Sequence, residues 1–172
     1  LARDSVLSLL ETRDGSLWAG MDFELGLNVL SNDTRIALSG FATNGPIRAL
    51  YEDRHGAMWV GGDGGLMVVS AAATNIYTTF NGLPGNVVRV ITGDRHGNVW
   101  VGTDRGLSCF GGGTIRRWGK SDGLSHEMIN ALYFDEEDRL WIGTLGGGLN
   151  CGKDGRFVFW TTRDGLFSDD VY

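Results

Sequence analysis

No apolar run in this sequence approaches the roughly 18 residues that span a bilayer as a helix, so direct membrane contact is not expected of it. Basic residues are in deficit: Lys and Arg number 15 against 21 Asp and Glu, a formal charge of −6. A mildly acidic chain lacks the basic patch that neutralises phosphates, which argues against nucleic-acid binding. There is no signal peptide and no initiator methionine, since the chain begins at Leu1. It reads as a piece of a longer protein, so missing targeting segments say nothing about where the parent resides. No segment reads as an amphipathic helix. Proline is scarce, at 2 residues, whereas glycine reaches 28. Glycine at that level suits a flexible linker unless the glycines recur in register with something else.

They do recur in register. Trp18, Trp59, Trp100 and Trp141 stand 41 residues apart, each within a copy of one motif. The copies are Gly15-Ser16-Leu17-Trp18-Ala19-Gly20, Gly56-Ala57-Met58-Trp59-Val60-Gly61, Gly97-Asn98-Val99-Trp100-Val101-Gly102 and Asp138-Arg139-Leu140-Trp141-Ile142-Gly143. A fixed period of that length marks a repeat architecture. The repeats run over about 4–44, 45–85, 86–126 and 127–170, and Val171-Tyr172 resembles the start of a fifth.

Each repeat parses into four short segments. Val6–Leu10, Ile47–Tyr51, Val88–Ile91 and Ile129–Tyr133 are strand-length apolar runs rich in β-branched residues. A turn follows: Thr12-Arg13-Asp14-Gly15, Asp53-Arg54-His55-Gly56, Asp94-Arg95-His96-Gly97 and Asp135-Glu136-Glu137-Asp138. Aspartate opens such turns through its backbone hydrogen bonds and glycine closes them with a positive φ. Asp138 replaces that glycine, and Asp is one of the few residues that tolerates the conformation. The tryptophan strand comes second. Apolar residues flank its tryptophan on both sides, so both faces of the sheet must be covered.

The loop from tryptophan to the next Gly-Leu varies, at 9, 7, 7 and 8 residues, and such insertions often cluster on a binding face. The third strand opens at Leu27, Leu66, Leu107 and Leu149. The fourth holds Ile36–Leu38, Ile76–Phe80, Ile115–Trp118 and Phe157–Thr161 and is more polar, as an outer edge strand should be. Four antiparallel strands per repeat, arrayed radially, predict an all-β fold: a β-propeller with four blades of about 41 residues, part of a larger ring. A β-sandwich would not require so strict a period. Cys109 and Cys151 occupy matching positions in neighbouring repeats, usually too far apart for a disulfide, and read as small buried apolar residues.

The pattern of a hydrophobic strand, Asp-x-x-Gly, Trp-hydrophobic-Gly-Thr, a Gly-rich loop and Gly-Leu resembles the two-component regulator propeller repeats. Val88 to Leu107 matches nearly throughout. The other copies depart at Gly62, at Thr12 and Met21, and at Asp138. The resemblance covers essentially the whole chain. It implies a non-catalytic, periplasmic or extracellular ligand-sensing module of a membrane receptor. In this family a histidine kinase, hybrid kinase or diguanylate cyclase often follows inside the cell, and many members are associated with polysaccharide breakdown products.

Asp53, Asp94 and Asp135 read as turn formers, because an EF-type loop needs further acidic positions that are missing. A glycan-active enzyme is the rival reading, but no unique carboxylate pair stands out for glycoside hydrolysis. A structural interaction propeller is a further alternative. His55 and His96 read as exposed turn residues and His126 as a loop residue near ligand. Lys120-Ser121 fails as a phosphate loop because Thr114 stands where the first glycine belongs and no helix follows. Asn32-Asp33-Thr34 fits a glycosylation triplet. The four tryptophans read as packing between blades more than as sugar platforms. No catalytic set, metal site or cofactor is expected.

Loops after the second and fourth strands should emerge on one side. That side gathers Asp63, Asp104, Arg105, His126 and Glu127 around the innermost strands, whose second positions are Leu7, Arg48, Arg89 and Asn130. The arginines are expected either to be solvated in the central channel or paired with Asp63 and Asp104, or to meet an acidic oligosaccharide, whose carboxylates suit arginine's planar fork. Four blades should form an open arc, baring Leu9 and Trp18 at one end and Leu132 and Trp141 at the other. A second copy or the remaining blades of the parent would cover these ends.

Overall fold

The computed structural model describes residues 5–22, 26–31, 34–38, 45–153 and 155–172. Asn32 and Asp33 of the glycosylation triplet lie outside them. Four antiparallel four-stranded sheets follow one another along the chain, each ordered as in sequence. The first holds β1 (Val6–Glu11), β2 (Leu17–Met21), β3 (Leu27–Ser31) and β4 (Thr34–Leu38). The second holds β5 (Ile47–Glu52), β6 (Met58–Gly62), β7 (Gly65–Val69) and β8 (Thr74–Tyr77). The third holds β9 (Val88–Gly93), β10 (Val99–Thr103), β11 (Gly106–Gly111) and β12 (Thr114–Trp118). The fourth holds β13 (Ile129–Phe134), β14 (Leu140–Thr144), β15 (Leu149–Lys153) and β16 (Arg156–Trp160). The links hold single 3-10 turns at Lys120–Asp122 and Thr162–Asp164. No helix among the described residues is long and apolar enough to cross a membrane.

β1 lies against β5, β5 against β9 and β9 against β13, so the first strands line the axis and the tryptophans sit on the second. The expected fourth strand Ile76–Phe80 is displaced. β8 runs from Thr74 to Tyr77, because the Asn81 carboxamide takes the Thr78 N–H at 2.7 Å and donates to the Ile76 carbonyl at 2.8 Å. That bends Thr78–Phe80 into a turn.

The glycine after each tryptophan strand's apolar pair is a contact point between sheets. A Cβ on Gly20 would meet Ile47 Cγ2 at 2.6 Å, one on Gly61 would overlap Val88 Cγ1, and one on Gly102 would meet Ile129 Cγ2 at 2.6 Å. The first residue of each inner strand therefore sits on the bare backbone of the sheet before it. Val171 occupies Gly143 in the same way and bonds the Thr144 carbonyl through its N–H at 2.9 Å. Buried polar residues on the third strands add a second tie. Asn150 accepts the Ser125 N–H at 2.9 Å and donates to Ser125 Oγ at 2.7 Å, while Ser108 donates to the Gly82 carbonyl at 3.4 Å. Both anchor the link that precedes their sheet.

Alternation along the strands decides which residues face a neighbour. Trp18 turns inward and packs with Leu27, Ile47 and Val60, and Leu132 turns inward against Leu140 and Ile142. Neither lies on a bare end, in contrast to the expectation from sequence, because cross-strand partners share a face. Trp18 pairs with Leu10, not with Leu9. The uncovered N-terminal face instead carries Leu9, Leu17 and Leu30. Leu17 is 39% exposed, whereas the matching Met58, Val99 and Leu140 are 6%, 3% and 3%. At the other end Tyr133 and Val158 are bare, at 64% and 58%, beside Trp141 stacked on Trp160 at 5.8 Å. The four sheets thus form an arc with two apolar ends.

Candidate functional site

The second residue of an inner strand points toward the axis, and its copies converge. Leu7, Arg48, Arg89, Asn130 and Tyr172 line one open depression of about 220 Å³. Tyr172 was missing from the sequence-derived set. Its signal was register, since it follows Val171 as Arg48 follows Ile47. The loops after the second strands border this mouth. The Asp22, Asp104 and Leu145 N–H groups donate to the Ser5, Val87 and Met128 carbonyls at 2.9–3.0 Å, just ahead of the inner strands.

The two arginines have different partners. Arg48 grips Asp63 with Nε on Oδ1 at 2.7 Å and Nη2 on Oδ2 at 3.3 Å, and that carboxylate raises the arginine's pKa. Arg89 makes no ion pair among the described residues. Its Nε donates to Asn130 Oδ1 at 2.8 Å, and Asn130 Nδ2 is buried without a partner among those residues. Asp104 takes the Val87 N–H at 3.2 Å and lies 3.8 Å from Arg105, so it does not pair with Arg89. Arg105 and Glu127 are exposed on the rim. His126 is half-buried and accepts the Met128 N–H on Nδ1 at 3.2 Å. The mouth therefore brings together Arg48, Arg89 and Asn130, with Asp63 behind Arg48. Asp104, Arg105, His126 and Glu127 are not among the residues that line it.

The recurring aspartates are structural clamps. Asp94 Oδ1 accepts the His96 and Asn98 N–H groups at 3.0 and 2.8 Å, and Oδ2 accepts Trp100 Nε1 at 3.0 Å. Asp53 and Asp135 make the same bonds to Trp59 and Trp141. Each turn is thus tied to its own tryptophan. In the first copy, where Thr12 stands in for aspartate, Asp14 bonds the Thr12 hydroxyl and the Ser16 N–H instead. Asp138 adopts φ 62° where the other copies have glycine, and it pairs with Arg95 and His96 of the preceding turn at 2.9 and 3.0 Å. His55 and His96 are exposed. Cys109 and Cys151 are buried free thiols, and burial pushes Cys109 up to about 11. Among the described residues no three His, Cys, Asp or Glu side chains converge as a metal site would.

Burial of Asp53 and Asp94 opposes their charge, but the indole and backbone N–H donors more than offset it. Both stay below the usual carboxylate value, and Asp135 behaves alike. A carboxyl depressed in the folded state stabilises above its unfolded pKa, and that stabilisation is lost as pH falls through the folded one. Stability should therefore fall below about pH 4. Asp94→Asn should cost about 1–3 kcal/mol at pH 7 and flatten part of the acid limb. Urea midpoints at pH 7 and pH 3 measure both, and an unaltered acid limb would remove Asp94 from this account.

The profile of the two-component regulator propeller matches residues 40–64, 82–105 and 123–146. No curated protein matches the chain in sequence. Among solved structures, the extracellular domain of a protein assigned as a hybrid two-component system of B. thetaiotaomicron is 26% identical. It superposes with a TM-score of 0.80, over 95% of this chain and 24% of its own. A second such domain from the same organism is 20% identical with a TM-score of 0.51, over 93% and 30%. Virginiamycin B lyase from Staphylococcus aureus shares the fold at 14% identity and a TM-score of 0.70, over 90% and 55%. The chain thus spans about a quarter of the first of these structures.

Proposed function

We propose that this chain, which carries three matches to the two-component regulator propeller, is a non-catalytic, ligand-sensing part of the extracytoplasmic region of a receptor. The ligand is an acidic oligosaccharide, bound at the mouth of the arc. Further blades of a longer chain, or a second copy, cover the two apolar ends. Similarity to extracellular domains of hybrid two-component systems supports the sensor role. One observation carries the site: a residue of the same register from each inner strand lines a single depression. Within it the Arg89 fork makes no ion pair among the described residues, and Asn130 offers a buried donor. Arg48 is already neutralised by Asp63, so the anion falls to Arg89.

Calorimetric titration with tetragalacturonate tests this on the 172-residue chain. Arg89→Ala should weaken binding at least tenfold without lowering the melting midpoint. Arg48→Ala should act less, chiefly by releasing Asp63 into the mouth. Unchanged affinity in Arg89→Ala would reject the site. Release of new reducing ends during the titration would replace the sensor reading with a glycan-active enzyme.

A further inference from the structure

The interfaces between successive sheets reuse the same positions, so each serves as a control for the others. The second strand of each of the first three sheets carries a tryptophan that faces one cross-strand triple of the next sheet. The triples are Glu52, Met58 and Val69; then Gly93, Val99 and Phe110; then Phe134, Leu140 and Gly152. Between the second and third sheets Phe110 fills the gap. Its ring stands edge-on to Trp59 at 5.2 Å and to Tyr77 at 5.0 Å, and Trp59 is buried.

Between the third and fourth sheets that position is Gly152. Its cross-strand partner, Ile115 beside Phe110, is here Phe157, whose ring lies on the bare glycine and meets Trp118 edge-on at 6.5 Å. The aromatic ring has moved from the third strand to the fourth. The vacated space is a groove of about 470 Å³, within the range of small-molecule sites. It opens at the turn end of the sheets, away from the mouth. Trp100 and Trp118 are stacked 5.2 Å apart at 18° and form its wall, with Phe134 beside them. Asp94 and Asp138 also line the groove, but their carboxylates are held by Trp100 and Asn98 and by Arg95 and His96, whereas Arg116 and Lys153 on the rim are exposed and make no hydrogen bond or ion pair among the described residues.

We propose that this groove is a second ligand site and takes a pyranose ring bearing an acidic group. The apolar C–H face of the sugar lies on the indoles, as amphipathic rings favour. Its carboxylate meets Arg116 and Lys153, whose cationic heads stand free over an apolar wall. The mouth plays no part in this reading.

Tryptophan fluorescence tests it, because no tryptophan lines the mouth. Digalacturonate should shift the emission of the wild-type chain, and cellobiose should bind at least tenfold more weakly. The pair Gly152→Phe with Phe157→Ile transplants the third sheet's filling and should abolish the response while the chain still melts cooperatively. Arg116→Glu with Lys153→Glu alters only exposed rim charges and should weaken digalacturonate at least tenfold, whether or not the transplant folds. Arg89→Ala should leave the response intact, which separates this site from the mouth. No emission change with millimolar digalacturonate, equal affinity for cellobiose, or an unaltered response in the rim variant would each overturn the proposal.

Discussion

Trp59→Ala should cost about 3–5 kcal/mol, the range for removing a buried large aromatic. A domain of this kind has only about 5–15 kcal/mol in total, so a fall of roughly 10 °C in the melting midpoint is expected. Trp59 sits between two sheets among Leu66, Val68, Val99 and Val101, and Phe110 stands edge-on to it. Truncation opens a cavity that these neighbours are too tightly held to fill. It also leaves Asp53 Oδ2 without its indole donor at 2.9 Å. Trp141→Ala is the control. It deletes the same residue from the same motif and the same aspartate bond, but this tryptophan faces the uncovered end and stacks only within its own sheet. Its loss should cost less than half as much. Urea midpoints of the two variants decide the matter. Equal losses would mean that the local clamp, not packing between sheets, sets the tryptophan's contribution.

Gly102→Val should be at least as damaging, through the opposite fault. Even the Cβ alone would stand 2.6 Å from Ile129 Cγ2 and 2.7 Å from Val90 Cγ1. Overpacking typically costs about 1–3 kcal/mol and occasionally more. Here the clash falls on a β-branched side chain held in an inner strand, with few rotamers to retreat into, so about 3 kcal/mol or more is expected. Gly102→Ala should fall at about 1–3 kcal/mol. Pairing it with Ile129→Ala should give a double variant more stable than the sum of the two singles, because the second change vacates the space that the first needs. Strict additivity in a urea series would show that the glycine is needed for some reason other than close approach.

The primary structure by itself determined the number of sheets, their strand order and the turn chemistry. Those follow from short-range patterns: a tryptophan every 41 residues, an Asp six residues before three of the four tryptophans, and apolar runs of strand length. The glycine at Gly20, Gly61, Gly102 and Gly143 was legible as a repeat, and so was the convergence of Arg48, Arg89 and Asn130 on one inner register. What the tertiary structure alone decided is which neighbour each side chain meets. A period of two separates the faces of a strand but does not say which face looks to the next sheet, so Trp18 and Leu132 turn inward while Leu17 and Tyr133 stand bare. The Arg48 pair with Asp63 was among the pairings expected, but spacing does not tell that Arg89 reaches Asn130, 41 residues away, instead of Asp104. The open groove beside Trp100 depends on an exchange of ring for glycine between two strands, Phe110 and Ile115 against Gly152 and Phe157. A bulky residue's place can be read along the chain, but the space it fills or vacates exists only where two sheets meet.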